Sequence, residues 1–180
     1  MDITTLVKLT SRAWSLNILA LMHEGLPGRQ APLLAATSAS RTAFGSSLKH
    51  LIQLGLLERN PGHGHPLRPE FRLTSSGVTA AKIASGIVGA VPDDDAFVLL
   101  RRNWPVPILA LTARPRRFSA LKSQLAVITD RALSHSLQQL EDRQWVQRDI
   151  QVSDRRPHPV YRAVNTGLQI NQAIGLVASR

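Results

Sequence analysis

A shift of about 90 residues superposes one half of this 180-residue chain on the other, and no other feature constrains the fold as strongly. Trp14-x-x-x-Ile18-Leu19-Ala20-Leu21 returns as Trp104-x-x-x-Ile108-Leu109-Ala110-Leu111, and Arg12 returns as Arg102. Ser47-Leu48-x-x-Leu51 returns as Ser136-Leu137-x-x-Leu140 and Arg59 as Arg148, at a shift of 89. Pro69-x-Phe71-Arg72 returns as Pro159-x-Tyr161-Arg162 and Gly77 as Gly167, at a shift of 90. Chance yields single matches, not an ordered series that drifts by one residue. The expectation is two copies of one domain, 1–90 and 91–180. The join is placed at Val91-Pro92-Asp93-Asp94-Asp95, a proline and acidic run suited to a solvated linker.

Each half reads as helices, a hairpin and a closing helix. In the first, Thr5–Leu9 is a short start, and Trp14, Ile18, Leu19 and Met22 recur at helical spacing until Gly25. Gln30–Ala36 forms a second helix. Ser38 or Ser40 caps a third, whose buried stripe is Phe44, Leu48 and Leu51 and whose stop is Gly55. Leu56–Arg59 and Glu70–Leu73 read as strands around a Pro/Gly/His loop, and Thr74 or Ser75 opens a helix to Val88. The second half predicts helices at 104–113, 118–125, 130–143 and 166–178 and strands at 145–150 and 159–163. Thr129 is its cap, and Leu133, Leu137 and Leu140 are its stripe. The fold class is mainly α with small β-hairpin wings (α+β), as two tandem winged helix-turn-helix domains forming an intrachain pseudo-dimer. The apolar segments 78–91 and 168–178 are expected between the halves, with Leu6 and Leu9.

Composition narrows the function. Lys and Arg number 22 against 12 acids, a net +10, and each half carries +5. Arginine dominates the cations, which points to phosphate-bearing partners. There are no cysteines, which removes disulfides, thiolate metal sites and thiol catalysis. The aromatic content of 4% is too low for a single-strand stacking platform. The lack of a long apolar run or signal-like start predicts a cytoplasmic, nucleoid-associated protein without a membrane partner. No catalytic motif stands out, and His63-x-His65 lacks a third ligand nearby, so neither enzyme activity, metal nor cofactor is expected. Trp14 and Trp104 are expected in the core.

The chain resembles the HxlR-type (MarR-related) winged helix-turn-helix transcription regulators. The resemblance rests on Trp-x-x-x-Ile-Leu in both halves, Arg117-Phe118-Ser119-Ala120-Leu121, and Phe71-Arg72-Leu73-Thr74-Ser75-Ser76-Gly77. Two departures are Arg29-Gln30-Ala31 in the first half and Ala163-Val164-Asn165 in the second. The resemblance implies DNA binding and a repressor that covers a promoter. Members are usually single-domain homodimers, some with a cysteine switch, which this cysteine-free chain cannot use. A monomeric pseudo-dimer is expected, with a homodimer as the alternative.

In such a fold the third helix enters the major groove, its inner stripe packed and its outer face reading. Over 40–54 that outer face is Arg41, Thr42, Gly45, Ser46 and Lys49. Over 130–143 it is Asp130, Arg131, Ser134, His135 and Gln138. Arg pairs with guanine, Gln with adenine, and Lys with phosphate. Asp130 is expected to serve the helix N-terminus, and the unlike faces predict unequal half-sites. The wings add Arg59, His63, His65 and Arg68, then Arg148, Arg155, Arg156 and His158. Arg114, Arg116 and Arg117 form a basic cluster at the turn before a helix, with Arg117 able to pair inside the fold. A small apolar effector between the halves is a further expectation. The alternatives are a protein–protein interaction module built on winged helices and a non-specific architectural DNA binder.

Overall fold

The computed structural model describes residues 1–60, 69–91, 93–152 and 157–175. The first half runs α1 (Ile3–Thr10), α2 (Ser15–His23), α3 (Gln30–Thr37), α4 (Arg41–Gln53), β1 (Leu57–Arg59), β2 (Phe71–Leu73) and α5 (Ser75–Gly89). The second runs α6 (Asp94–Leu100), α7 (Pro105–Leu111), β3 (Arg116–Arg117), α8 (Phe118–Leu125), α9 (Asp130–Asp142), β4 (Val146–Gln151), β5 (His158–Ala163) and α10 (Asn165–Ile174). Apart from β3, the element order repeats. The fold is mainly helical, with one two-stranded and one three-stranded antiparallel sheet among the described residues.

The repeated residues take the same local roles. Ser40 caps α4, its Oγ accepting from Ala43 N at 3.2 Å, and Thr129 caps α9, accepting from Ala132 N at 3.2 Å. Each cap satisfies one of the otherwise unpaired amides at a helix start. Trp14 and Trp104 both occupy the N-cap positions of the next helix, and their carbonyls accept from Ile18 and Ile108 at 2.9 Å. Trp14 is buried, while Trp104 is half-buried at the edge of the core.

Gly77 and Gly167 show why the repeat keeps glycine. A Cβ on Gly77 would stand 1.9 Å from the Leu56 carbonyl oxygen, and one on Gly167 2.0 Å from that of Trp145. The same two carbonyls accept from Thr74 N at 3.1 Å and Val164 N at 2.9 Å. The helix after each wing thus sits directly on the chain leaving the third helix.

Three expectations need correction. Asp93-Asp94-Asp95 is not a solvated linker: Asp93 caps α6, accepting from Ala96 N at 2.7 Å, and Asp94 and Asp95 fill its first turn. Acids there complement the helix dipole. Arg116 and Arg117 do not lie in a turn, because they form β3 and pair with Tyr161 and Val160 of β5. The helix predicted at 104–113 ends at Leu111, where the chain turns into that strand. In the first half the matching strand shrinks to one bridge, Arg29 with Glu70. The predicted end of the last helix, 176–178, lies outside the described residues.

The two halves interlock. α1 packs on α7 and α8 of the other half, with Leu6 and Leu9 fully buried. α5 packs on α2 and on α10, closely enough that a Cβ on Gly86 would meet Ala173 Cβ at 3.0 Å. In return Arg101, at the end of α6, stacks over the Trp14 ring, 4.9 Å from its centroid. One continuous apolar core runs through both halves. No helix among the described residues is long and apolar enough to cross a membrane.

Candidate nucleic-acid interface

α3 and α4 form a helix-turn-helix, with Ser38 in the left-handed region (φ 54) closing α3 before the Ser40 cap. α8 and α9 do the same around Ala126 (φ 51) and Thr129. The inner face of α4 is Phe44, Ser47, Leu48 and Leu51, and that of α9 is Leu133, Ser136, Leu137 and Leu140. With those buried, helical geometry turns the remaining positions outward. Arg41, Thr42, Gly45, Ser46 and Lys49 are all exposed, as are Asp130, Arg131, Ser134, His135 and Gln138. A Cβ on Gly45 would meet nothing within 4 Å, so packing inside the chain does not require a glycine there.

The two outer faces differ in charge. α4 carries Arg41 and Lys49 with no acid, whereas α9 carries Arg131 against Asp130, Glu141 and Asp142. Neighbours occupy part of the α9 face. Asp130 pairs with Lys122 of α8, and Gln138 donates to Asp142 Oδ1 at 2.8 Å. Among the described residues Arg41, Lys49 and Arg131 have no such partner, which leaves them available to phosphate or base edges. Lys122 escaped the sequence reading because its role depends on the α8–α9 juxtaposition, not on local pattern.

The wings flank these helices. Arg59 is exposed on β1 opposite Phe71, beside the cross-strand pair of Arg72 and Glu58 (2.7 Å). Arg148 is exposed on β4 opposite Tyr161, but it is electrostatically tied to its surroundings. Partial burial raises the Glu141 carboxyl above its usual value of 4.5, and the nearby Arg148 opposes that rise. Tyr161 is likewise raised by burial, with Arg148 again opposing. His158 is half-buried at the start of β5 and not at an exposed tip. Arg114 is exposed, but Arg116 is half-buried within β3 and its Nε is shielded from water. The wing-tip candidates His63, His65 and Arg68, and Arg155 and Arg156, lie outside the described residues.

A helix-turn-helix with an exposed third helix and an adjacent β-hairpin is the winged helix-turn-helix arrangement. Residues 99–179 match the family of HxlR-like helix-turn-helix domains, which are DNA-binding regulators. The matched segment covers α7 to α10 with the second hairpin, and the repeat in residues 1–90 is outside it. No curated protein matches the chain.

Proposed function

We propose that the chain is a sequence-specific regulator of transcription that binds double-stranded DNA and represses by covering a promoter. On this reading residues 1–90 and 91–180 are tandem winged helix-turn-helix domains, forming a pseudo-dimer within one chain. The helices at 40–54 and 130–143 enter successive major grooves about one turn apart, and the basic wings rest on the backbone. Joining the two in one chain makes the second contact intramolecular, at high effective concentration. The protein acts in the cytoplasm, on the nucleoid.

The observation that carries the reading is the exposed basic face of α4, without an ion-pair partner among the described residues, on a helix-turn-helix that recurs in the half matching the family. The charge difference between α4 and α9 favours unequal half-sites, with α4 supplying most of the affinity. Recovery of genomic fragments by the purified chain at near-physiological salt tests it. The proposal expects a few enriched fragments sharing two unlike half-sites. Uniform recovery supports a coating protein instead, and no recovery at any salt supports a protein-interaction module.

A further inference from the structure

A hollow of about 330 Å³ opens beside the outer face of α4. It is lined by Ala31 and Leu34 of α3 and by Arg41, Phe44 and Gly45 of α4, and its wall is mostly apolar. Ala31, Arg41 and Gly45 are exposed and Leu34 is half-buried, so an occupant arriving from outside reaches them. Arg41 and Gly45 stand one helical turn apart in the same outward row of α4. A Cβ on Gly45 would meet nothing within 4 Å, which keeps the hollow open on that side.

The second half fills the same positions with polar groups. Leu34, the fifth residue of α3, corresponds to Lys122, the fifth of α8. Arg41 and Asp130 each open the third helix, and Gly45 corresponds to Ser134. Lys122 and Asp130 pair with each other, so these two positions face one another across the turn. The first half has instead a leucine and an arginine without an ion-pair partner among the described residues. A cation beside an exposed apolar hollow, on a helix proposed to enter the major groove, matches one kind of base step. Arginine binds the O6 and N7 edge of guanine, and the thymine C5-methyl is the apolar group of the major-groove code. We infer that α4 reads a guanine and a neighbouring thymine together. Arg41 takes the guanine, and the thymine methyl enters the hollow between Ala31, Leu34 and Gly45. This rests on the proposed function and adds the base that the apolar surface selects. α9 reads no methyl in this way, because the Lys122–Asp130 pair spans the same place.

Binding of the full chain to an enriched genomic fragment, with its thymines replaced one at a time by deoxyuridine on either strand, tests the site. Deoxyuridine removes the methyl and keeps every hydrogen-bonding edge. One replacement beside the guanine that Arg41→Ala relaxes is expected to weaken binding by about fourfold, the worth of one buried methyl group. Replacements in the α9 half-site are expected to change affinity by less than about twofold. Gly45→Ala places a methyl of the protein in the hollow and is expected to bring the thymine-to-deoxyuridine ratio to about one. A thermal melt confirms that this variant is folded. The inference is overturned if the chain selects its fragment and no deoxyuridine beside that guanine weakens binding. It is overturned equally if replacements in the α9 half-site have the same effect, or if Gly45→Ala leaves the ratio unchanged. Failure to select any fragment overturns the proposed function, and this inference with it.

Discussion

The hydroxyl of Thr10 donates to the carbonyl oxygen of Asn103 at 2.8 Å, joining residues 93 positions apart at the ends of α1 and α6. Thr10 is 2% exposed, so the contact is screened from water. The bond sits where α1 crosses to the other half.

Thr10→Val keeps the shape and removes the hydroxyl. It is expected to cost about 1 kcal/mol, because the Asn103 carbonyl loses the Thr10 hydroxyl. Urea unfolding checks this, with a single transition expected before and after the change. Two separated transitions in the wild-type chain would show that the halves do not share a core.

Alanine at three glycines is expected to give opposite results. Gly77→Ala and Gly167→Ala drive a methyl into a backbone carbonyl and should destabilise by about 2–4 kcal/mol each. Gly45→Ala meets open space inside a helix and should stabilise by about 0.5–1 kcal/mol. The same change should weaken DNA binding if α4 lies against the groove. Thermal melts and gel shifts on the same three proteins separate the effects.

The unlike outer faces of α4 and α9 predict unequal mutants on the proposed function. Arg41→Ala is expected to cost about 1–3 kcal/mol of DNA affinity and relax one base position. Arg131→Ala should cost less, because Asp130 precedes it and Glu141 and Asp142 close the same helix, which lowers the positive charge of α9. Lys49→Ala is expected to weaken all sequences alike and reduce the salt slope by about one. Fluorescence anisotropy across a salt series and a set of point-substituted operators measures all three.

Burial raises the Glu141 carboxyl in the folded protein. A raised carboxyl binds its proton more tightly when folded, so stability falls as pH climbs from the unfolded pKa through the folded one. Above that window the penalty is fully present. Glu141→Gln is therefore expected to stabilise the chain at neutral pH, with the gain vanishing below the ordinary carboxylate range. Paired melts at pH 7 and at acid pH follow the difference.

Much of this fold was legible because the repeat is written in residues whose roles are local. Ser40 and Thr129 cap the helices that their positions predict, and the stripes from Phe44 and Leu133 are buried as their spacing requires. The outward faces of α4 and α9 followed from those stripes. α6 was missed because Ala96–Leu100 is too short and uniformly apolar to show a period, although an Asp cap with acids behind it is a helix start. β3 carries no local signal, since Arg116 becomes a strand only by pairing with Tyr161. The stacking of Arg101 on Trp14 and the pairing of Lys122 with Asp130 arise from packing between elements, which spacing along a chain does not encode.

The central claim is that one chain grips two unlike half-sites through α4 and α9. Hydroxyl-radical footprinting on an enriched genomic fragment, at one chain per duplex, tests it most directly. The account predicts two protected segments about one helical turn apart, the stronger one lost first in Arg41→Ala. A single protected segment that Arg41→Ala leaves intact would contradict it.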